Sequence, residues 1–132
     1  MAECLEIAAR PIVVIVDDDE AIRAALGRLI RTIGYEPRVF ASGEDLLIEI
    51  DNFRPACVLT DIQMPGMNGL ELAGELHRRR RALPVAVMTA YPSLANRDLT
   101  LTGSAVEHMT KPLDDRRLEA WLSQAIGAPP PI

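Results

Sequence analysis

The residues of this 132-residue chain best suited to chemistry are Asp17, Asp18, Asp61, Thr89 and Lys111. Each stands at the end of a short apolar run, and each has an ordinary reading when taken alone. Asp17 and Asp18 can cap a helix, Asp61 and Thr89 can close turns, and Lys111 can be a solvated stem. Five ordinary readings must then hold independently, whereas one shared site accounts for all five. Carboxylates crowded together repel and partly protonate unless a cation joins them. Oxygen ligands suit a hard divalent ion, Mg²⁺ or Mn²⁺, and a metal beside a carboxylate, an ammonium and a hydroxyl is what phosphoryl transfer requires. Asp61 would attack phosphorus, the ion and Lys111 would neutralise the phosphoryl oxygens, and Thr89 would hydrogen-bond to one of them. Zinc is a poor fit, because His77 and His108 fall on different elements and no cysteine accompanies either.

The elements that must position these groups follow from hydrophobic patterning. Pro11–Val16 is a continuous β-branched run, the mark of a strand buried on both faces of a parallel sheet. Ile22, Leu26, Leu29, Ile30 and Ile33 then recur at helical spacing, with Asp18 or Asp19 as cap and Gly34 as stop. Tyr35–Phe40 is a more polar strand whose Pro37 consigns it to an edge. Ser42 opens a second helix carrying Leu46, Leu47 and Ile50 on one face. Ala56–Thr60 leads to Asp61, and the chain turns through Met64-Pro65-Gly66 into a third helix from Asn68, with Leu70, Ala73 and Leu76 inward. Arg78–Arg81 is either a phosphate patch or, in better accord with the helix dipole, a solvated basic end. Leu83–Met88 gives a fourth strand before Thr89. Residues 93–102 form a helix weak in propensity, and Ala105–Thr110 a fifth strand before Lys111. Leu113–Ile126 closes as a helix with Leu118, Trp121, Leu122 and Ile126 buried. Five strands alternating with five helices predict an α/β fold of parallel βαβ units with right-handed crossovers.

Composition narrows the function. With 48% hydrophobic and 25% charged residues, the chain suits one globular domain. We read 1–10 as an N-terminal extension, 11–127 as the domain and 128–132 as a proline-rich tail. A net charge of −5 argues against direct nucleic-acid binding. No apolar run is long enough to insert in a membrane, and the acidic opening does not read as a signal peptide. Cys57 lies in an apolar strand, which fits a cytoplasmic protein with reduced thiols.

Four motifs fall in order on four strand ends: Val14-Ile-Val-Asp-Asp-Asp-Glu20, Thr60-Asp-Ile-Gln-Met-Pro-Gly-Met-Asn-Gly69, Met88-Thr-Ala90 and Thr110-Lys-Pro-Leu113. In this combination the chain resembles a response-regulator receiver domain, the phospho-acceptor half of a two-component system, over about Pro11 to Ile126. The resemblance implies a flavodoxin-like, doubly wound sheet of order 2-1-3-4-5. It implies that Asp61 receives a phosphoryl group from a histidine kinase or phosphotransfer protein. It also implies Mg²⁺ held by Asp18, Asp61 and the backbone carbonyl of Gln63, with Asp17 acting largely through water, and a cis Lys111–Pro112 bond. The domain would be a signalling element that assists its own phosphorylation and dephosphorylation, not an enzyme with a separate substrate. In that family Thr89 moves toward the phosphoryl group while an aromatic ring three residues before the lysine turns inward. The face of the fourth helix, fifth strand and fifth helix is thereby reshaped for a downstream protein target.

Here the aromatic position holds His108. Two readings stand: the imidazole substitutes as a small ring, or a titratable residue makes the switch pH-sensitive. Thr102-Gly-Ser-Ala105 and Pro92 also depart from the family pattern beside the output face. With no DNA-binding region evident, a stand-alone regulator acting on another protein is the expectation. Two rivals remain. A haloacid-dehalogenase-type phosphatase would use Asp17 as nucleophile and Asp19 as acid/base, but Ala21 and Asp114-Asp115 fit its pattern poorly. A phosphate-independent interaction module would leave the five groups unused.

Overall fold

The computed structural model describes residues 10–90 and 106–127. Strands β1 (Ile12–Val16), β2 (Glu36–Phe40), β3 (Pro55–Asp61), β4 (Val85–Thr89) and β5 (Val106–Thr110) form one sheet in the order β2-β1-β3-β4-β5. Every pairing is parallel. The fold is the doubly wound α/β arrangement expected from the residue pattern. Helices α1 (Glu20–Ile33), α2 (Gly43–Glu49), α3 (Gly69–Arg79) and α4 (Asp115–Ile126) accompany it, with a short 3₁₀ turn at Ile50–Asn52. The helix expected at 93–102, the Thr102–Ala105 segment, Pro92, residues 1–9 and the tail 128–132 lie outside the described residues.

Side chains alternate across the sheet, which explains strands apolar at every position. Val14, Val16, Val58, Val85 and Val87 pack with Leu46 of α2 and Leu70, Leu72 and Leu76 of α3. Val13, Ile15, Cys57, Leu59, Ala86 and Met88 face the other way, against Leu26 and Ile30 of α1 and Leu118, Trp121 and Leu122 of α4. Trp121 is therefore a core residue. Burial leaves the Cys57 thiol pushed up to about 12, so it behaves as a small hydrophobe.

Local signals set the helix ends. Asp19 is the α1 cap, its Oδ1 accepting from Ala21 N at 2.9 Å, and Gly34 at φ 124° closes that helix. Ser42 Oγ accepts from Asp45 N at 3.1 Å to open α2. Asn68 and Glu71 form a reciprocal capping box at the start of α3. Arg78 and Arg79 both pair with Glu75 on that helix, and Arg80 reaches Ile50 O at 2.9 Å and Asp51 at 3.3 Å. Two of the four arginines are thus engaged on their own helix and a third on the neighbouring 3₁₀ turn, in line with a basic helix end.

Pro37 sits where its chemistry permits. Glu36 N donates to Pro11 O at 2.9 Å and Phe40 O accepts from Asp17 N at 3.2 Å, so the even-numbered residues of β2 turn their polar groups toward β1. Pro37 and Val39 therefore face the outer edge, where the missing proline N–H breaks no bond. Several boundaries differ by a residue or two from the sequence expectation, and two of the differences have a clear cause. β2 begins at Glu36 because the Tyr35 ring turns into the core and its hydroxyl donates to Gly127 O at 2.9 Å. β4 begins at Val85, after Pro84 has accepted a hydrogen bond from Val58 N at 3.0 Å.

Candidate functional site

The carboxyl ends of β1, β3, β4 and β5 bring the expected residues to one rim. Asp17 follows β1 directly and is buried; Asp18 is exposed beside it. Asp61 is the last residue of β3, its backbone paired in register with Met88, and only 7% exposed. Thr89 is the last residue of β4 and is buried. Lys111 follows β5, its backbone N–H donating to Thr89 O at 2.8 Å, and the Lys111–Pro112 bond is cis. The ladder thus extends one residue past the apolar run at β3 and β4, which is how the sheet grips both polar groups.

The ammonium of Lys111 bridges the two buried acids. Its Nζ lies 3.2 Å from Asp17 Oδ2 and 3.3 Å from Asp61 Oδ1. Asp17 Oδ1 is occupied on its other side by Asp19 N–H at 2.9 Å, which orients the carboxylate. Arg23, on the first turns of α1, donates from Nη1 to the carbonyl of Asp17 at 2.7 Å and fastens the strand end from below. The residue pattern gave no sign of this contact, since an arginine in a helix reads as solvated surface.

Electrostatics show what the site lacks. Burial raises the Asp61 carboxyl above its ordinary range, and the like charge of Asp17 adds to this; Lys111 and the Gln63 N–H oppose it without prevailing. Burial alone would lower Lys111, yet the carboxylates of Asp61 and Asp17 outweigh it and hold the ammonium above its usual value. The two directions are consistent because a single cation serves several acids. Lys111 is over-supplied with negative partners while Asp61 is short of positive ones. Asp17, Asp18 and Asp61 each offer an oxygen, and these oxygens lie within 4.8 Å of one another. Three carboxylates against one ammonium form an all-oxygen donor set with a deficit of positive charge, which fits a hard divalent ion.

A glycine closes the geometry beneath Asp61. Gly69 N donates to Ile62 O at 2.9 Å, and a Cβ on Gly69 would lie 2.1 Å from Asp61 O. The helix α3 that follows β3 is thus packed backbone to backbone against it. The helix start is legible in the residue pattern, whereas the close approach that requires glycine is not.

His108, in the middle of β5 and in register with Val87, has both ring nitrogens buried and without a hydrogen-bond partner among the described residues. The description "Response regulator receiver domain" belongs to the family model that matches residues 13–123.

The chain belongs to that family.

Among its relatives, the DNA-binding transcriptional regulator NtrC of Salmonella typhimurium is 35% identical over 118 residues, covering 89% of this chain and 25% of NtrC. Transcriptional regulatory protein FixJ of Bradyrhizobium diazoefficiens is 29% identical over 112 residues, 85% of this chain and 55% of FixJ. The chain thus spans a quarter of one relative and about half of the other. Among solved structures, the apo receiver domain of nitrogen regulatory protein C is 33% identical with a TM-score of 0.77, covering 88% of this chain and 94% of that one. Response regulator protein TrrA from Thermotoga maritima, in complex with Mg(2+)-BeF, is 26% identical with a TM-score of 0.79, covering 87% and 98%. Receiver domains act in two-component signalling as phosphorylation acceptors, bind Mg²⁺ at an acidic pocket, and interact with histidine kinases or phosphotransfer proteins. Among the described residues of this receiver domain, no helix is long and apolar enough to cross a membrane.

Proposed function

We propose that this receiver domain accepts a phosphoryl group on Asp61 from the phosphohistidine of a kinase or phosphotransfer protein, and in response changes a surface read by a downstream protein. The observation that carries this reading is the Lys111 ammonium shared between the buried carboxylates of Asp61 and Asp17. Residues 11–127 form the functional unit, with 1–10 and 128–132 as flanking segments, and a cytoplasmic setting suits it. Asp17, Asp18, Asp61 and the backbone carbonyl of Gln63 would hold Mg²⁺, or Mn²⁺ in its place; when bound, the ion supplies positive charge to the phosphoryl oxygens.

The chain's own groups do the rest. An Asp61 oxygen forms the new P–O bond as the P–N bond to the donor imidazole breaks, and the imidazole keeps the electron pair. Lys111 faces the charge that builds on the phosphoryl oxygens, and Thr89 donates its hydroxyl to one of them. Asp17 keeps Lys111 aimed at the site. A switch through Thr89 and His108 would carry the change to the face that includes β5 and α4, by shifting a two-state equilibrium. Incubation with acetyl phosphate and Mg²⁺ tests the assignment by intact-mass and peptide analysis. One phosphoryl group is expected on Asp61 and none on Asp61→Asn. An adduct on Asp17 would instead favour the phosphatase reading, and an unmodified wild type the phosphate-independent module.

A further inference from the structure

The loop from Ile62 to Asn68 must hold its shape if Gln63 is to present its carbonyl beside the carboxylates. Its ends are well anchored. Ile62 N donates to Met88 O at 2.9 Å, Gly69 N donates to Ile62 O at 2.9 Å, and Asn68 is locked in its capping box. Across residues 64–67, the one hydrogen bond to another element among the described residues runs from Met67 N to Glu44 Oε2, at 3.1 Å. Glu44 lies in the first turn of α2, 23 residues away in sequence.

Two close approaches bring the loop and the start of α2 together around this exposed carboxylate. Gly66 adopts φ +74°, and a Cβ there would lie 2.7 Å from the same Oε2. Glycine supplies the left-handed turn here, and its bare Cα leaves the Glu44 carboxylate free to lie close over the loop. The neighbouring Gly43 lets α2 approach closely, since its Cβ would lie 3.3 Å from Met67 Sδ and from both Leu72 Cδ atoms. The start of α2 and the loop after Asp61 therefore grip each other through both backbone and side chain.

We propose that Glu44 is a positioning residue for the phosphorylation site: by accepting the Met67 N–H over Gly66, it holds the loop in the shape that presents the Gln63 carbonyl to the divalent ion. The proposal rests on the ligand set given above. A plainer role is available, because an acid in the first turn favours its helix through the dipole alone. The two roles separate cleanly. Glu44→Gln loses the charge and keeps an acceptor oxygen, whereas Glu44→Ala loses both.

Calorimetric Mg²⁺ titration of the full chain, with hydrogen exchange at the Met67 amide, provides the test. Glu44→Ala is expected to weaken Mg²⁺ by up to about tenfold, no more than the loss of a group bonded directly to a ligand costs, and to speed Met67 exchange. Glu44→Gln is expected to stay close to wild type in both. Wild-type affinity in Glu44→Ala, or Glu44→Gln as weak as Glu44→Ala, would overturn the proposal. Asp18→Asn serves as the control. If it fails to weaken Mg²⁺, the ligand set is wrong and the proposal falls with it. If it does weaken Mg²⁺ while Glu44→Ala does not, Glu44 alone is misassigned.

Discussion

Replacing Gly69 with alanine adds one methyl group at the point where α3 meets β3. That carbon would lie 2.1 Å from Asp61 O and 2.8 Å from both Asp61 C and Ile62 Cα, all of them backbone atoms. No rotamer change can relieve the clash, so the strand or the helix must move. Overpacking in a dense interior costs about 1–3 kcal/mol. Relief here also pulls on the Ile62–Met88 and Gly69–Ile62 hydrogen bonds, each 2.9 Å long, which adds about 1 kcal/mol for each one lost. Against this, alanine gains about 0.5–1 kcal/mol over glycine in a helix. The net expectation is a loss of about 2–4 kcal/mol, or a Tm lower by about 10 °C for a domain of this size. Gly74, on the same helix, provides the control, because a Cβ there would meet nothing within 4 Å. The same substitution at Gly74 should therefore stabilise by about 0.5–1 kcal/mol. Urea and thermal unfolding followed by far-UV circular dichroism measure both variants. Phosphorylation by acetyl phosphate should slow in Gly69→Ala, whose displaced backbone is that of Asp61 itself. A Gly69→Ala protein as stable as Gly74→Ala would refute the close approach and the account of how Asp61 is held.

Two further outcomes follow from the site. Because burial raises the Asp61 carboxyl in the fold, the folded chain holds that proton more tightly than the unfolded one. The stability this contributes is present below the ordinary carboxylate range and is lost as pH rises through the raised value. Metal-free Asp61→Asn should therefore be more stable than wild type at neutral pH, with the gap closing toward about pH 4; a gap that widens on acidification would contradict the sign. His108→Phe removes two buried ring nitrogens that have no partner among the described residues. With about 1–3 kcal/mol for an unsatisfied buried group and some cost for the larger ring, a gain of about 1–2 kcal/mol in urea unfolding is expected. A loss would show that the imidazole has a partner that matters.

The strand ends were readable from sequence because a parallel sheet buried on both faces leaves little choice of side chain until the chain escapes it. Runs such as Val13–Val16 and Val85–Met88 announce where escape occurs, and Asp17, Thr89 and Lys111 stand at those points. Pro37 similarly announced an edge. What stayed hidden were contacts between side chains and the backbone of other elements. Arg23 on the Asp17 carbonyl, Glu44 on the Met67 amide and Tyr35 on Gly127 each join a polar side-chain group to a backbone group, and no periodicity encodes such pairs. The larger cause of the Asp61 shift, burial at the strand end, emerges only with the fold, whereas the smaller one, crowding with Asp17, is legible in the residue types.

The proline in β2 has a bearing on the molecule's life among its own copies. An open strand edge is a template on which another chain can continue the sheet, and parallel sheets, slow to complete, expose such edges while folding. Pro37 and Val39 are the residues turned outward there, and one of the two has no hydrogen to give. A neighbouring strand laid along that edge would find a gap in its ladder beside the half-exposed Val39, at the place where an apolar residue would otherwise invite it to stay. The proline whose missing donor costs the sheet no bond of its own thus discourages another strand from adding to it.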